Sequence, residues 1–82
     1  MSDYVYVVNG SLPEDETIEV STNANQAAEA AVIYLGFPYG ARRAIYKEDI
    51  IKQLQKGIKN AMFQNNSKIV FIDRVEAQVI SN

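Results

Sequence analysis

The side chains that do most acid–base and nucleophilic work are missing from this sequence. It has no His and no Cys, which removes the commonest general base, the most reactive nucleophile and the usual transition-metal ligands. Chemistry would fall to Asp, Glu, Ser, Thr, Lys or Tyr. The densest carboxylate group, Glu14, Asp15 and Glu16, could hold a hard cation or share a proton. It lacks the alternating ligands and distal Glu of an EF-hand loop, and it reads as a solvated loop tip. Glu48 and Asp49 read as acids in the first turn of a helix, where the dipole favours them. Gly36-x-x-x-Gly40 lacks the Lys-Ser/Thr that would make it a phosphate loop. These patterns predict a chain that is not an enzyme and takes neither a cofactor nor a metal.

Residue types suited to recognition are better represented. Arg42, Arg43, Lys47, Lys52, Lys56 and Lys59 fall within residues 42–59, preceded by Phe37 and Tyr39 and interleaved with Tyr46. Such a segment could neutralise phosphates and stack a base, which makes nucleic-acid binding through residues 42–59 the alternative reading. A net charge of −2 weighs against it, because nucleic-acid domains are usually basic overall. Lysines spaced as 52, 56 and 59 opposite an apolar stripe are normally the wet face of a helix. The favoured reading is a surface for a protein partner built from Phe37, Tyr39, Arg42, Arg43, Tyr46, Lys47, Lys52 and Lys56, with the arginines as anchors.

Charge is also segregated along the chain. Residues 1–41 carry six acidic side chains and no Lys or Arg, whereas residues 42–82 carry eight basic against four acidic ones. Opposite halves can attract a second copy as well as a foreign partner, so self-association into a homo-oligomer is also expected. Tyr4, Tyr6, Tyr34, Tyr39 and Tyr46 add an amphipathic residue enriched at interfaces.

Length and composition bound what can hold these residues. A chain of 82 residues reads as one small domain, residues 1–82, that buries roughly 60–65% of its unfolded surface and has a thin stability margin. Without Cys no disulfide supplements the core. An apolar content of 48% with 22% charged residues fits a folded globular chain. No apolar run approaches a membrane span, and the start Met1-Ser2-Asp3-Tyr4 lacks the basic and apolar regions of a signal peptide, so a cytoplasmic protein without membrane contact is expected.

The pattern predicts the order β-β-α-α-β. Tyr4, Val5, Tyr6, Val7 and Val8 form a strand apolar on both faces, which suits a central strand or one whose outer face meets a partner. After Asn9-Gly10 and a long acidic hairpin loop, residues 17–21 alternate, with Ile18 and Val20 inward. Asn23 caps a helix, and Gln26 is placed to close a capping box. Ala24, Ala27, Ala28, Ala31 and Leu35 form its buried face, widened by Val32 and Tyr34. Gly36, Phe37 and Pro38 end it. Residues 37–46 read as a loop with a short extended piece near 44–46. A second helix is expected over residues 47–63, buried through Ile50, Ile51, Leu54, Ile58, Ala61 and Met62, with Gly57 in its interior and Gln64 to Ser67 ending it. Ile69 to Ile72 form a buried strand that continues through Val75, Ala77 and Val79 if a bulge at Asp73-Arg74 restores the parity, or that splits into a hairpin there. The fold class is therefore α+β, a small antiparallel sheet with two helices packed on one face.

The aromatic-rich strand at Tyr4 to Val8, the acidic hairpin, the helix entry from Val20 to Ala27-Ala28 and the missing catalytic set resemble small phage-encoded inhibitor proteins, anti-CRISPR proteins among them. The resemblance covers residues 4–35 and carries over no functional residue. It implies a viral protein that acts as a stoichiometric inhibitor or regulator of another protein.

Overall fold

The computed structural model of the protein describes residues 4–11 and 16–76. It is an α+β fold: β1 (Tyr4–Gly10), β2 (Glu16–Ser21), α1 (Ala24–Tyr34), α2 (Ala41–Gln55), β3 (Asn60–Asn65) and β4 (Lys68–Glu76). The strands form one antiparallel sheet in the order β2-β1-β4-β3, and both helices belong to the layer on one of its faces. The tip of the acidic hairpin, with Glu14 and Asp15, and the continuation through Ala77 and Val79 lie outside the described residues. Among the described residues no helix is long and apolar enough to cross a membrane.

The core follows from strand parity. Tyr6 and Val8 of β1, Ala61 of β3 and Val70 and Ile72 of β4 point to the helix side and are buried. They cluster with Ala27, Ala28, Ala31, Val32 and Leu35 of the first helical segment and with Ile50 and Leu54 of α2. The expected Ala-rich face of α1 is thus the buried one, and its short side chains bring the helix close to β1 and β2. Burying a Leu or Ile of this kind stabilises the fold by about 1.5–3 kcal/mol relative to exposure.

Among the described residues no layer covers the opposite face of the sheet. Val5, Val7, Phe71 and Asp73 point outward there and are half-buried by their neighbours, while Val20, Met62 and Val75 are more exposed. The apolar outer side of β1 that the sequence shows is therefore part of an uncovered sheet face.

The ends of α1 are locally determined. Asn23 is extended and accepts the Asn25 N–H at 2.7 Å, as an N-cap should. The reciprocal bond differs from expectation. The Asn23 N–H goes to Ser21 Oγ, and that hydroxyl in turn donates to Gln26 Oε1 at 2.8 Å. Ser21 is therefore a link between Asn23 and Gln26 and replaces a direct capping box. At the other end Gly36 takes φ of 85°, its N–H reaches the Ile33 carbonyl, and the Phe37 N–H reaches the Val32 carbonyl, which is a Schellman ending.

The second helix is displaced from its expected span of 47–63. It begins at Ala41, because Gly40, at φ 147° and ψ −173°, turns an extended chain directly into the helix and offers its carbonyl to the Ala44 N–H. It ends at Gln55. Lys56 is the C-cap, and Gly57, at φ 84°, supplies the left-handed residue after it. Residues expected in the last turns of that helix, Ala61 and Met62 among them, form β3, so the order is β-β-α-α-β-β. Residues 64–67, expected to end the helix, lie in the β3–β4 hairpin, where Asn66 takes φ of 57°. Glu48 and Asp49 sit in mid-helix and are exposed.

Two other expectations are corrected. The register of β4 runs unbroken against β1 through Asp73 and Arg74 and against β3 up to Asp73, so no bulge or hairpin occurs there. Arg74 keeps the inward parity opposite Tyr6 and places its guanidinium 5.1 Å from the Tyr4 ring, so a polar end satisfies the position without a register shift. The bulge falls in β2 instead. The pairing slips between Val8 and Asn9, leaving Ile18 as the extra residue. Ile18 still packs against the core, but Val20 pairs with Val7 on the uncovered face and is exposed, against the inward placement expected for it.

Candidate functional site

The turn between the helices and the start of α2 hold most of the expected recognition residues on one platform. Its floor is an aromatic pair: the Phe37 and Tyr46 rings lie 4.5 Å apart, tilted by 35°. Phe37 is placed by the Schellman ending of α1. Tyr46 is fixed at its far end by a 3.0 Å hydrogen bond from its hydroxyl to the Gln64 carbonyl of β3. Asn65 donates to the Leu35 carbonyl at 2.8 Å, which ties the end of α1 to the end of β3. Phe37, Arg42, Ile45, Tyr46 and Asn65 line a groove of about 450 Å³. Ile45 is 64% exposed at its rim, and Arg42 is exposed beside it.

Tyr39 and the second arginine form the adjoining half. Tyr39 is 90% exposed, with the Arg43 guanidinium 4.2 Å from its ring centroid, a cation–π contact. Arg43 was expected to be an exposed anchor, but only 8% of it is accessible. Its other partner is Glu29 of α1, which it meets in a charge-assisted hydrogen bond. Lys47 Nζ takes the other carboxylate oxygen of Glu29 at 2.7 Å. These bonds, Lys47 first and Arg43 second, hold the Glu29 carboxyl below its usual range.

The arrangement has a physical reason. Arg42 and Arg43 stand in the first turn of α2, where the positive end of the dipole disfavours cations and no side chain caps the helix. An acid supplied by the neighbouring helix, Glu29, offsets the charge of Arg43. Sequence reasoning missed Glu29 and Ile45. The signal available was that Glu29 is the one acidic residue in α1, with no basic residue in that helix to pair with.

The expected basic stripe is not continuous. Arg43 is buried and Lys47 is ion-paired, while Lys52 and Lys56 lie further along the exposed side of α2 among Glu48 and Asp49. Lys59 follows Gly57, outside the helix. The structure therefore groups Phe37, Arg42 and Tyr46 in one groove and Tyr39, Arg43 and Lys47 in a second cluster with Glu29, and leaves Lys52 and Lys56 apart from both. A second groove, about 490 Å³, runs between β2 and α1 past Ile18, Glu19, Gln26, Ala30 and Ile33; it contains none of the expected site residues.

Among the described residues no group of three or more acidic side chains is placed to hold a metal ion. The platform presents aromatic faces, an aliphatic rim and an exposed guanidinium. Comparison of the chain with family models, with curated proteins and with solved structures finds no match.

Proposed function

We propose that this chain is a non-catalytic binding protein that docks a protein partner on the platform of Phe37, Tyr39, Arg42, Ile45 and Tyr46. The observation that carries this reading is the exposure of Ile45 at the rim of a groove with an aromatic floor, held by bonds from β3 to α2 and to the end of α1, with the exposed Tyr39 ring close by in the chain. Rigid platforms of Tyr, Arg and aliphatic residues concentrate binding energy, because little side-chain freedom is lost on contact. Arg42 adds a planar donor fork suited to a carboxylate, so the partner surface is apolar with an acidic group at its rim. Covering that surface would make the chain a stoichiometric inhibitor or regulator.

The mixed charge of α2 is what disfavours nucleic acid. Phosphate binding needs several cations acting together, and here two of the six are engaged by Glu29. The test is capture from a native lysate, with and without nuclease, using wild type and the Arg42→Ala/Ile45→Asp variant. Retention of a protein by wild type after nuclease, and its loss with the variant, is expected. Capture that vanishes with nuclease would shift the reading to nucleic acid, and capture indifferent to the variant would move the site elsewhere.

A further inference from the structure

The two edges of the sheet are built differently. β2 is interrupted by the Ile18 bulge and carries Glu19, two devices that spoil strand addition. β3, Asn60-Ala61-Met62-Phe63-Gln64-Asn65, has no charge, no Pro and an unbroken register. Among the described residues no strand pairs with its other side, and that side can be identified. The Arg74 N–H donates to the Lys59 carbonyl at 2.8 Å, and bonded pairs alternate along an antiparallel ladder. Ala61, Phe63 and Asn65 therefore bond to β4, and Asn60, Met62 and Gln64 turn their N–H and C=O groups to the edge. The Tyr46 hydroxyl, which reaches the Gln64 carbonyl from outside the sheet, marks the same side.

We propose that β3 pairs with β3 of a second copy, antiparallel about a two-fold axis at Met62, joining the two sheets into one of eight strands. The register follows from the geometry. The three outward residues are symmetric about Met62, so Met62 opposes Met62 of the second copy and each Asn60 opposes the other's Gln64. All six edge N–H groups then find carbonyls. The Gln64 carbonyl keeps its bond from Tyr46 on its second lone pair. Met62, 61% exposed in one copy, gains an apolar partner on the outer face, and Ala61 meets Phe63 on the helix face.

Charge selects this mode of self-association. No like charges face each other across β3, whereas the β2 edge would bring Glu19 towards its counterpart. Stacking two outer faces is excluded on the same ground. Asp73, bonded only to Asn60 Nδ2 at 2.8 Å on that face, would be pressed into an apolar interface with no Lys or Arg among the described residues of the outer face to meet it.

Sedimentation equilibrium and hydrogen exchange of the full chain, from about 1 μM to about 1 mM, test the pairing. The expected results are a species of twice the 9.2 kDa chain mass and slowed exchange with concentration at the Asn60, Met62 and Gln64 amides, with no change at Ala61. Met62→Lys opposes two cations across the axis, and Met62→Pro removes an edge donor without touching the bonds to β4. Each should weaken dimerisation at least roughly tenfold, while Val20→Lys on the β2 edge should not. A monomer throughout the range, a dimer indifferent to both Met62 variants, or protection that spares these three amides would overturn the proposal. None of these readouts involves a foreign partner, so the platform reading stands or falls separately.

Discussion

Arg42 and Arg43 share a type and a turn of helix, yet only Arg43 is tied into the fold. Its guanidinium lies between the Glu29 carboxylate and the Tyr39 ring, so Arg43→Ala removes stem packing as well as charge. A loss of about 1–3 kcal/mol in urea unfolding is expected, against within about 0.5 kcal/mol for Arg42→Ala. On the proposed docking surface Arg43 would act as a positioning residue for Tyr39, and a binding defect in its variants must be corrected for stability. Glu29 gives a second prediction, on pH. Its carboxyl is held below the ordinary 4.5 by Lys47 and Arg43, so the stability it contributes is full above that pH and is lost as pH falls below it. Glu29→Gln should be less stable than wild type at neutral pH, and the gap between their urea midpoints should close as the solution is acidified below pH 4.5.

Helix boundaries make the case at the scale of elements. With Gly57 read as a helix interior residue, Gly57→Ala would add about 1 kcal/mol of stability. At φ 84° the sign reverses, and the variant should lose about 1 kcal/mol in thermal or urea unfolding, since the left-handed region costs an L side chain about that much. The same position shows what the sequence could and could not disclose. α1 was legible because Asn23, Gly36, Phe37 and Pro38 mark both of its ends with side chains and backbone demands local to it. α2 was not, because Gly40 starts it through backbone conformation alone and a Gly inside an apolar pattern reads equally as interior or end. Residues 58–63 fit a helical stripe as well as an alternating strand, and only pairing with β4 decides between them. The platform was legible in residue type and in place, through Phe37, Tyr39, Arg42 and Tyr46. The burial of Arg43 was not, because it depends on an acid fourteen residues earlier.

The described residues form a two-layer structure with a one-sided core. Val8 and Ile72 face the helices and are fully buried, while Val20 and Val75 occupy the other side of the same sheet and are 54% and 47% exposed. Replacing Ile72 by Ala should therefore cost about 2–5 kcal/mol. Val20→Thr and Val75→Thr should each fall within about 0.5 kcal/mol, as read from urea midpoints at a concentration where the chain is monomeric. Equal losses on both faces would mean that a second layer covers the sheet in solution.

The Ile18 bulge has a consequence for assembly. A chain with two pairing edges has a valence of two and propagates without limit, which is the geometry of a fibril. With β2 irregular and β3 regular, the proposed pairing has a valence of one and would terminate after a single partner. Deleting Ile18 would restore an even ladder on β2 and raise the valence. On the proposed β3 pairing, the extra residue that looks like a flaw in the hairpin would work as a chain terminator, limiting strand addition to one edge.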